Sequence, residues 1–431
     1  MEYLPIIVLV LSFVVLLAIG TPVAWSIAIS SVLTMLVSIP VLPAFTTVSQ
    51  RIGTGLDSFA LLAIPLFILS GELMNKGGIA HRLIAFAKTL VGSLPGGLAL
   101  INIVSAMLMG AIAGSAMAAA SAMGSILGPE MEKEGYSREF GAAVNITAAT
   151  TGLIIPPSNV LIVYSLASGG ASIAALFLAG YIPGILTGLF LMIIASFWAK
   201  KKGYKVGKRS TLKEVFKTFI DALPSLFMLV VVIGGIVAGV FTATEASAIA
   251  VLYSLLLGFF YKEISTQGLP KILLDSASTT AIVMLLIGAS MSMSWALSYE
   301  NIPQEISSGL LSISDNKIVI LLIINLLLLF VGIFMDMTPA VLIFTPIFLP
   351  VVTKLGLDPV HFGIIMVLNL CIGLCTPPVG SVLFVGVGIA NTTIEKVIKP
   401  LLPLFIAMVV ALLLVTYIPA LSLWLPSLFD L

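Results

Sequence analysis

The sequence predicts an all-α polytopic membrane protein, built as two inverted structural repeats with broken helices and re-entrant hairpins. Composition, an internal offset and the placement of charge predict it. Of the 431 residues, 60% are hydrophobic and 9% charged, and the mean hydropathy is +1.21. A soluble domain carries about 25% charged residues and about 45–50% apolar ones. The solvent of this chain is therefore largely lipid.

A helix needs about 20 apolar residues to cross a bilayer. Runs of suitable character extend from Ile6 to Ala18, Val23 to Val37, Phe59 to Met74, Ile182 to Trp198, Ala222 to Val240, Ala246 to Tyr261, Ile318 to Phe334 and Leu401 to Trp424. Four others are interrupted by Gly or Pro: Leu98 to Gly128, Ala142 to Leu178, Pro339 to Val352 and Gly363 to Ile389. The run from Ile6 follows Met1-Glu-Tyr-Leu-Pro5, with neither a basic leader nor a small-residue cleavage site, and reads as a first span.

The strongest basic segment holds Lys200, Lys201, Lys202, Lys205, Lys208, Arg209, Lys213 and Lys217 against the single acid Glu214. By the positive-inside rule it is cytoplasmic. It divides the chain into a first repeat (1–199), a basic linker (200–221) and a second repeat (222–431). Shifting the first repeat by 221 positions lays Thr21 on Thr242, Pro129 on Pro350, Gly135 on Gly356, Gly152 on Gly373 and Pro156-Pro157 on Pro377-Pro378. The segment with Lys76, Arg82 and Lys88 carries no balancing acid between Lys76 and Lys88, whereas its counterpart carries Glu300, Glu305 and Asp315 against Lys317. Equivalent loops thus fall on opposite sides, which makes the repeats inverted. Inverted repeats with broken helices are a secondary-transporter architecture, with the site near mid-membrane.

The breaks carry the chemistry. Thr147-Ala-Ala-Thr-Thr-Gly152-Leu-Ile-Ile-Pro156-Pro157-Ser158-Asn159 and Leu370-Cys-Ile-Gly373-Leu-Cys-Thr376-Pro377-Pro378-Val379-Gly380-Ser381 lie inside apolar runs. A Pro-Pro pair removes amide donors and clashes with the preceding turn, so the helix must break. In hydrocarbon, broken backbone is tolerated only around a polar cavity. Freed carbonyls suit a hard cation, and the half-helix that follows aims its positive end at an anion. Upstream, Gly110 to Ala119 aligns with Val331 to Ala340, and each reads as a hairpin tip facing the Pro-Pro break.

Asp336, an acid within an apolar stretch, either faces a cation or caps the half-helix near Pro339, and suits H⁺ or Na⁺ equally. Glu245 closes a capping box with Thr242. Glu72 reads as a polar partner inside the bundle. His81 reads as solvated and His361 as interfacial. Cys371 and Cys375, four apart on one helical face, read as small apolar residues and not as a disulfide or metal site. No Lys or Arg lies mid-span, so a substrate carboxylate falls to helix N-termini and to Ser158, Asn159 and Ser381. With a net charge of +1 there is no face for nucleic acid. The absence of Gly-x-Ser-Gly and of a phosphate loop argues against an intramembrane protease and an ATP-driven motor.

The run Gly239-Val-Phe-Thr-Ala-Thr-Glu245-Ala-Ser-Ala-Ile-Ala-Val-Leu-Tyr253 resembles a hallmark of the large membrane subunit of tripartite ATP-independent periplasmic (TRAP) transporters. The two Pro-Pro elements, Gly114-Ser115-Ala and Asp336-x-x-Pro339-Ala340 also fit, in the expected order and over nearly the whole chain. The resemblance implies import of an organic acid by Na⁺ symport across the bacterial inner membrane, with an elevator-like core moving against a scaffold. It implies two partners, a small membrane subunit and a periplasmic substrate-binding protein. It implies one Na⁺ site at Gly114, Ser115, Gly152, Ile155 and Pro157, and another at Gly332, Gly373, Thr376 and Val379. Substrate contacts are expected at Ser115, Ser158, Asn159, Asp336, Thr338 and Ser381. The family tip often has extra serines where Ala113 and Ala116 stand here, which leaves backbone carbonyls as the principal ligands. The alternative is a stand-alone ion-coupled organic anion symporter of the wider ion-transporter group.

Overall fold

The computed structural model describes residues 4–207, 209–314 and 316–431, without side chains at 111–113. Met1, Glu2, Tyr3, Lys208, Asp315 and the side chain of Ala113, which entered the readings above, lie outside the described residues. The described chain is helical, with no strand among those residues. In the first half come α1 (Leu4–Ala18), α2 (Val23–Ser38), α3 (Val41–Gly55), a short 3₁₀ turn (Phe59–Leu62), α4 (Ala63–Lys76), α5 (Ile79–Val91), α6 (Gly97–Ala113), α7 (Ala116–Lys133), α8 (Arg138–Thr151), α9 (Asn159–Ala167) and α10 (Ile173–Lys202). The second half has α11 (Leu212–Val237), α12 (Ala243–Phe260), α13 (Leu269–Tyr299), α14 (Ile302–Ile313), α15 (Lys317–Phe334), α16 (Met337–Lys354), α17 (Pro359–Gly373), α18 (Ser381–Ile389), α19 (Ile394–Tyr417) and α20 (Ala420–Ser427). Eight helical segments among the described residues are long and apolar enough to span a membrane.

The 221-residue offset reappears in the elements. The hairpin α6–α7 matches α15–α16, and α8, break, α9 matches α17, break, α18. The direction of the match is visible where α8 meets α17. Cys371 Sγ lies 3.3 Å from Thr150 O and Cys375 Sγ 3.4 Å from Ile146 O. Advancing along α17 therefore means retreating along α8. Two offset-equivalent helices run antiparallel, as inverted repeats require. Both cysteines are buried free thiols on that face.

Helix starts follow their caps. Thr242 and Glu245 form the expected capping box at α12, with Glu245 Oε2 accepting from Thr242 N at 2.8 Å. Thr211 and Glu214 form another at α11. Asp358 caps α17, its Oδ1 accepting from Val360 N at 2.7 Å.

Several expectations need correction. The span α13 was not anticipated, because Asp275, Ser276, Ser278, Thr279 and Thr280 interrupt its apolar pattern. Helix α11 begins ten residues before Ala222, inside the basic segment. The segments around Arg82 and Glu305 are helices α5 and α14 and not open loops. The last run divides at Ile418–Pro419 into α19 and α20. His361 is not interfacial: it is 1% exposed, with Nδ1 2.6 Å from Ser422 Oγ. Next to it, Thr416 Oγ1 accepts from Asn325 Nδ2 at 3.2 Å, and Asn369 Nδ2 donates to Asn325 Oδ1 at 2.8 Å. At the equivalent first-repeat positions stand Phe140, Ala195, Val104 and Ala148, so this polar ladder belongs to the second repeat alone.

Candidate functional site at the paired helix breaks

Each hairpin turns abruptly. Helix α6 ends on Gly114, whose φ of +62° is left-handed, and a Cβ there would lie 2.8 Å from Asn159 Nδ2. Ser115 then caps α7, its Oγ accepting from Ala118 N at 3.3 Å. The second hairpin turns through extended Met335 and Asp336. Asp336 occupies the cap position of α16, yet its carboxylate makes no capping bond and is exposed. Of the two roles open to it from sequence, the side-chain cap is absent.

Behind each tip the backbones nearly touch. A Cβ added at Gly152 would overlap the backbone of Gly110. A Cβ at Gly373 would stand 2.5 Å from Gly332 Cα, and one at Gly332 would stand 3.0 Å from Gly373 Cα. Only glycine lets hairpin and broken helix cross this closely. Because Val331 is the offset equivalent of Gly110, the crossing slips by one residue between repeats.

Both tips and both half-helices open onto one cavity of ≈ 390 Å³. Its lining includes the first turns of four helices: Ala116 to Ala118 of α7, Asn159 and Val160 of α9, Met337 and Thr338 of α16, and Ser381 and Val382 of α18. None of α9, α16 and α18 has a side-chain cap, so their leading N–H groups remain free of one. Each N-terminus contributes about half a positive charge, for about +2 in all. The same lining holds the carboxylates of Asp336, at the α16 N-terminus itself, and of Glu72, and no Lys, Arg or His lines the cavity among the described residues.

Among the expected substrate contacts, Ser115, Asn159, Asp336, Thr338 and Ser381 line this cavity. The Ser381 hydroxyl has no hydrogen-bond partner. Ser158 does not line it: the side chain is fully buried, and its Oγ donates to Leu153 O at 2.5 Å. Among the expected Na⁺ positions, Gly114 and Ser115 line the cavity. Gly152, Ile155, Pro157, Gly332 and Gly373 are buried in the crossing and break segments. Thr376 is half-buried and donates to Ile372 O at 2.7 Å, which leaves its oxygen lone pairs as acceptors. Val379 is exposed. Thr279 was missed, and Glu72 was placed in the bundle but not at the site; an acid inside the Phe59–Met74 run was the available signal.

Comparison with known proteins bears on the family and the fold. The family model described as the tripartite ATP-independent periplasmic transporter, DctM component, matches residues 10–421. The uncharacterized protein YgiK of Salmonella typhimurium (strain LT2) is 57% identical, over 99% of each chain. The C4-dicarboxylate TRAP transporter large permease protein DctM of Rhodobacter capsulatus is 37% identical, over 96% of this chain and 97% of its own. In fold the chain is similar to the YdaH transporter of Alcanivorax borkumensis, with a TM-score of 0.66 at 14% identity, covering 91% and 90% of the two chains. Antiparallel equivalent helices, paired hairpins and a match over nearly the whole sequence converge: this chain belongs to the family of DctM components, the large membrane permeases of tripartite ATP-independent periplasmic transporters.

Proposed function

We propose that the chain imports a small organic acid across the bacterial inner membrane by Na⁺ symport. Substrate is delivered by a periplasmic binding protein, and a small membrane subunit completes the permease. As a member of a permease family, the chain is a multi-pass transport protein and not an enzyme.

The observation that carries the proposal is the convergence of four helix N-termini on a cavity that also holds two carboxylates. Those partial charges roughly balance Glu72 and Asp336, so the empty site has no net positive charge to hold an anion. At about 6 Å and an effective dielectric of about 20, one carboxylate repels another by about 3 kcal/mol. Cations bound at the two crossings reverse that sign and let the anion in. One set of ligands is Gly114, Ser115, Gly152, Ile155 and Pro157, the other Gly332, Gly373, Thr376 and Val379. Binding of ion and substrate is thereby coupled, as symport demands.

Substrate oxygens are then held by free N–H groups and by Ser115, Asn159, Thr338 and Ser381. Such contacts fit a carboxylate; a C4-dicarboxylate, named for the relative in Rhodobacter capsulatus, is a first candidate. Without a basic side chain the intrinsic affinity is modest, which a binding protein offsets by delivering substrate at high local concentration. The hairpins and broken helices form the moving core of an elevator-like cycle. The test is uptake into proteoliposomes with either partner omitted. The proposal expects transport to collapse without the binding protein; undiminished transport would reassign the chain as a stand-alone symporter.

A further inference from the structure

The two crossings are not built alike. At the first, a Cβ on either Gly110 or Gly152 would overlap the backbone of the other. At the second, Cβ atoms on Gly332 and Gly373 would stand 3.0 and 2.5 Å from the opposing Cα, so that pair is set further apart. Backbone contact fixes the separation of α6 and α8. Among the described residues no side-chain hydrogen bond joins these two helices; the polar side chains of α6 are Asn102 and Ser105, whose oxygens have no partner.

Helices α15 and α17 are tied instead by an amide pair. Asn369 Nδ2 donates to Asn325 Oδ1 at 2.8 Å and to the Asn325 backbone carbonyl at 3.0 Å, so a side chain of α17 grips the main chain of α15. Both residues are buried. Gly332 follows Asn325 by seven residues and Gly373 follows Asn369 by four, spacings that keep each glycine on the face of its asparagine. At 1.5 Å per residue the grip lies about 6 Å along α17 from the crossing. It is backed by α19, where Thr416 Oγ1 accepts from Asn325 Nδ2 at 3.2 Å and donates to Leu412 O at 2.8 Å.

We propose, on the reading of the crossings as cation sites, that Asn325 and Asn369 are positioning residues of the second site. They set the separation of α15 and α17 at which the carbonyls around Gly332 and Gly373 and the Thr376 hydroxyl converge on the ion. The first repeat is the internal comparison. There Val104 and Ala148 occupy the equivalent positions, and touching backbones set the distance without them. Where the backbones stand apart, a directional bond takes over that task, as supporting hydrogen bonds do behind other metal ligands. Within an apolar seam no water competes for the amides, so the bond holds its geometry.

The test is thermal unfolding of the solubilised full chain as sodium replaces potassium at constant ionic strength. It reads the Na⁺ concentration that gives half of the Na⁺-dependent rise in Tm. Asn325→Val with Asn369→Ala gives the second repeat the residue types of the first. Both partners leave together, so no buried amide is orphaned, and Thr416 keeps its bond to Leu412 O. The double variant raises the Na⁺ midpoint about tenfold. Asn325→Leu alone retains the bond from Asn369 to the main chain of α15 and raises it only about threefold, which guards against a misfolded double variant. The shift of the double variant is non-additive with Thr376→Ala, at the same crossing, and additive with Gly152→Ala, at the other. A lower Tm in potassium with a wild-type Na⁺ midpoint in both asparagine variants makes the pair purely structural and overturns the proposal. Additivity with Thr376→Ala overturns its assignment to the second site. A wild type whose Tm does not respond to Na⁺ overturns the reading of the crossings themselves, and the positioning role with it.

Discussion

Gly152→Ala isolates the crossing of hairpin and broken helix. The added Cβ would overlap Gly110 Cα, stand 2.8 Å from the Gly110 carbonyl carbon and 3.0 Å from Ala106 O. All of these atoms are backbone, so no side-chain rotation relieves the contact. Helices α6 and α8 must part by roughly 1 Å, and overpacking of this kind costs about 1–3 kcal/mol. If the ion is held by carbonyls at this crossing, the strain falls on ion binding, and the Na⁺ midpoint rises about 5- to 150-fold. Thermal unfolding of the solubilised chain reads this without knowledge of the substrate, since a ligand that binds only the folded state raises Tm with its concentration. Sodium is exchanged for potassium at constant ionic strength. Gly128→Ala, in the same hairpin but facing open space, is the control and keeps the wild-type midpoint. A wild-type Na⁺ midpoint in Gly152→Ala would refute the placement of an ion at the crossing.

Thr376→Ala weakens Na⁺ stabilisation about tenfold while Thr376→Ser restores it, because the oxygen lone pairs and not the methyl are the proposed ligand; equal midpoints in all three chains remove Thr376 from the site. Asp336→Asn leaves Tm in potassium unchanged, since the carboxylate makes no capping bond, but weakens Na⁺ binding about tenfold; a lower Tm in potassium would show a structural role instead. Ser158→Ala orphans the buried Leu153 carbonyl and destabilises the chain by about 1–3 kcal/mol, with its Na⁺ midpoint unaltered. A shifted midpoint with unchanged Tm would return Ser158 to the binding site.

Much of this architecture was legible because it depends on residues with no substitute. Gly152, Gly373 and the Pro-Pro pairs announce broken helices by what their backbones can and cannot do, and the structure places the two glycines at close crossings. Charge bias gave inversion, and α8 antiparallel to α17 agrees with it. Helix α13 was missed because hydropathy counts its hydroxyls and Asp275 against a span, whereas a helix satisfies its own backbone whatever its side chains. Ser158 was assigned to the substrate by proximity to the break. Its actual partner, Leu153 O, is five residues away and visible only once the turn is folded. His361 and Asn325 look isolated in sequence, and their ladder is assembled by α15, α17, α19 and α20 from across about 100 residues. Glu72 was seen as an intramembrane acid, but nothing local says that α4 faces the hairpin tips.

The most direct measurement is uptake of a labelled organic acid into proteoliposomes holding this chain and its small partner, with loaded binding protein outside. The inward gradient is Na⁺ in one set and K⁺ or H⁺ in matched sets. The account predicts accumulation with Na⁺ alone, abolished when Na⁺ is equilibrated across the membrane. Equal accumulation under K⁺ or H⁺ would contradict cation coupling at the two crossings.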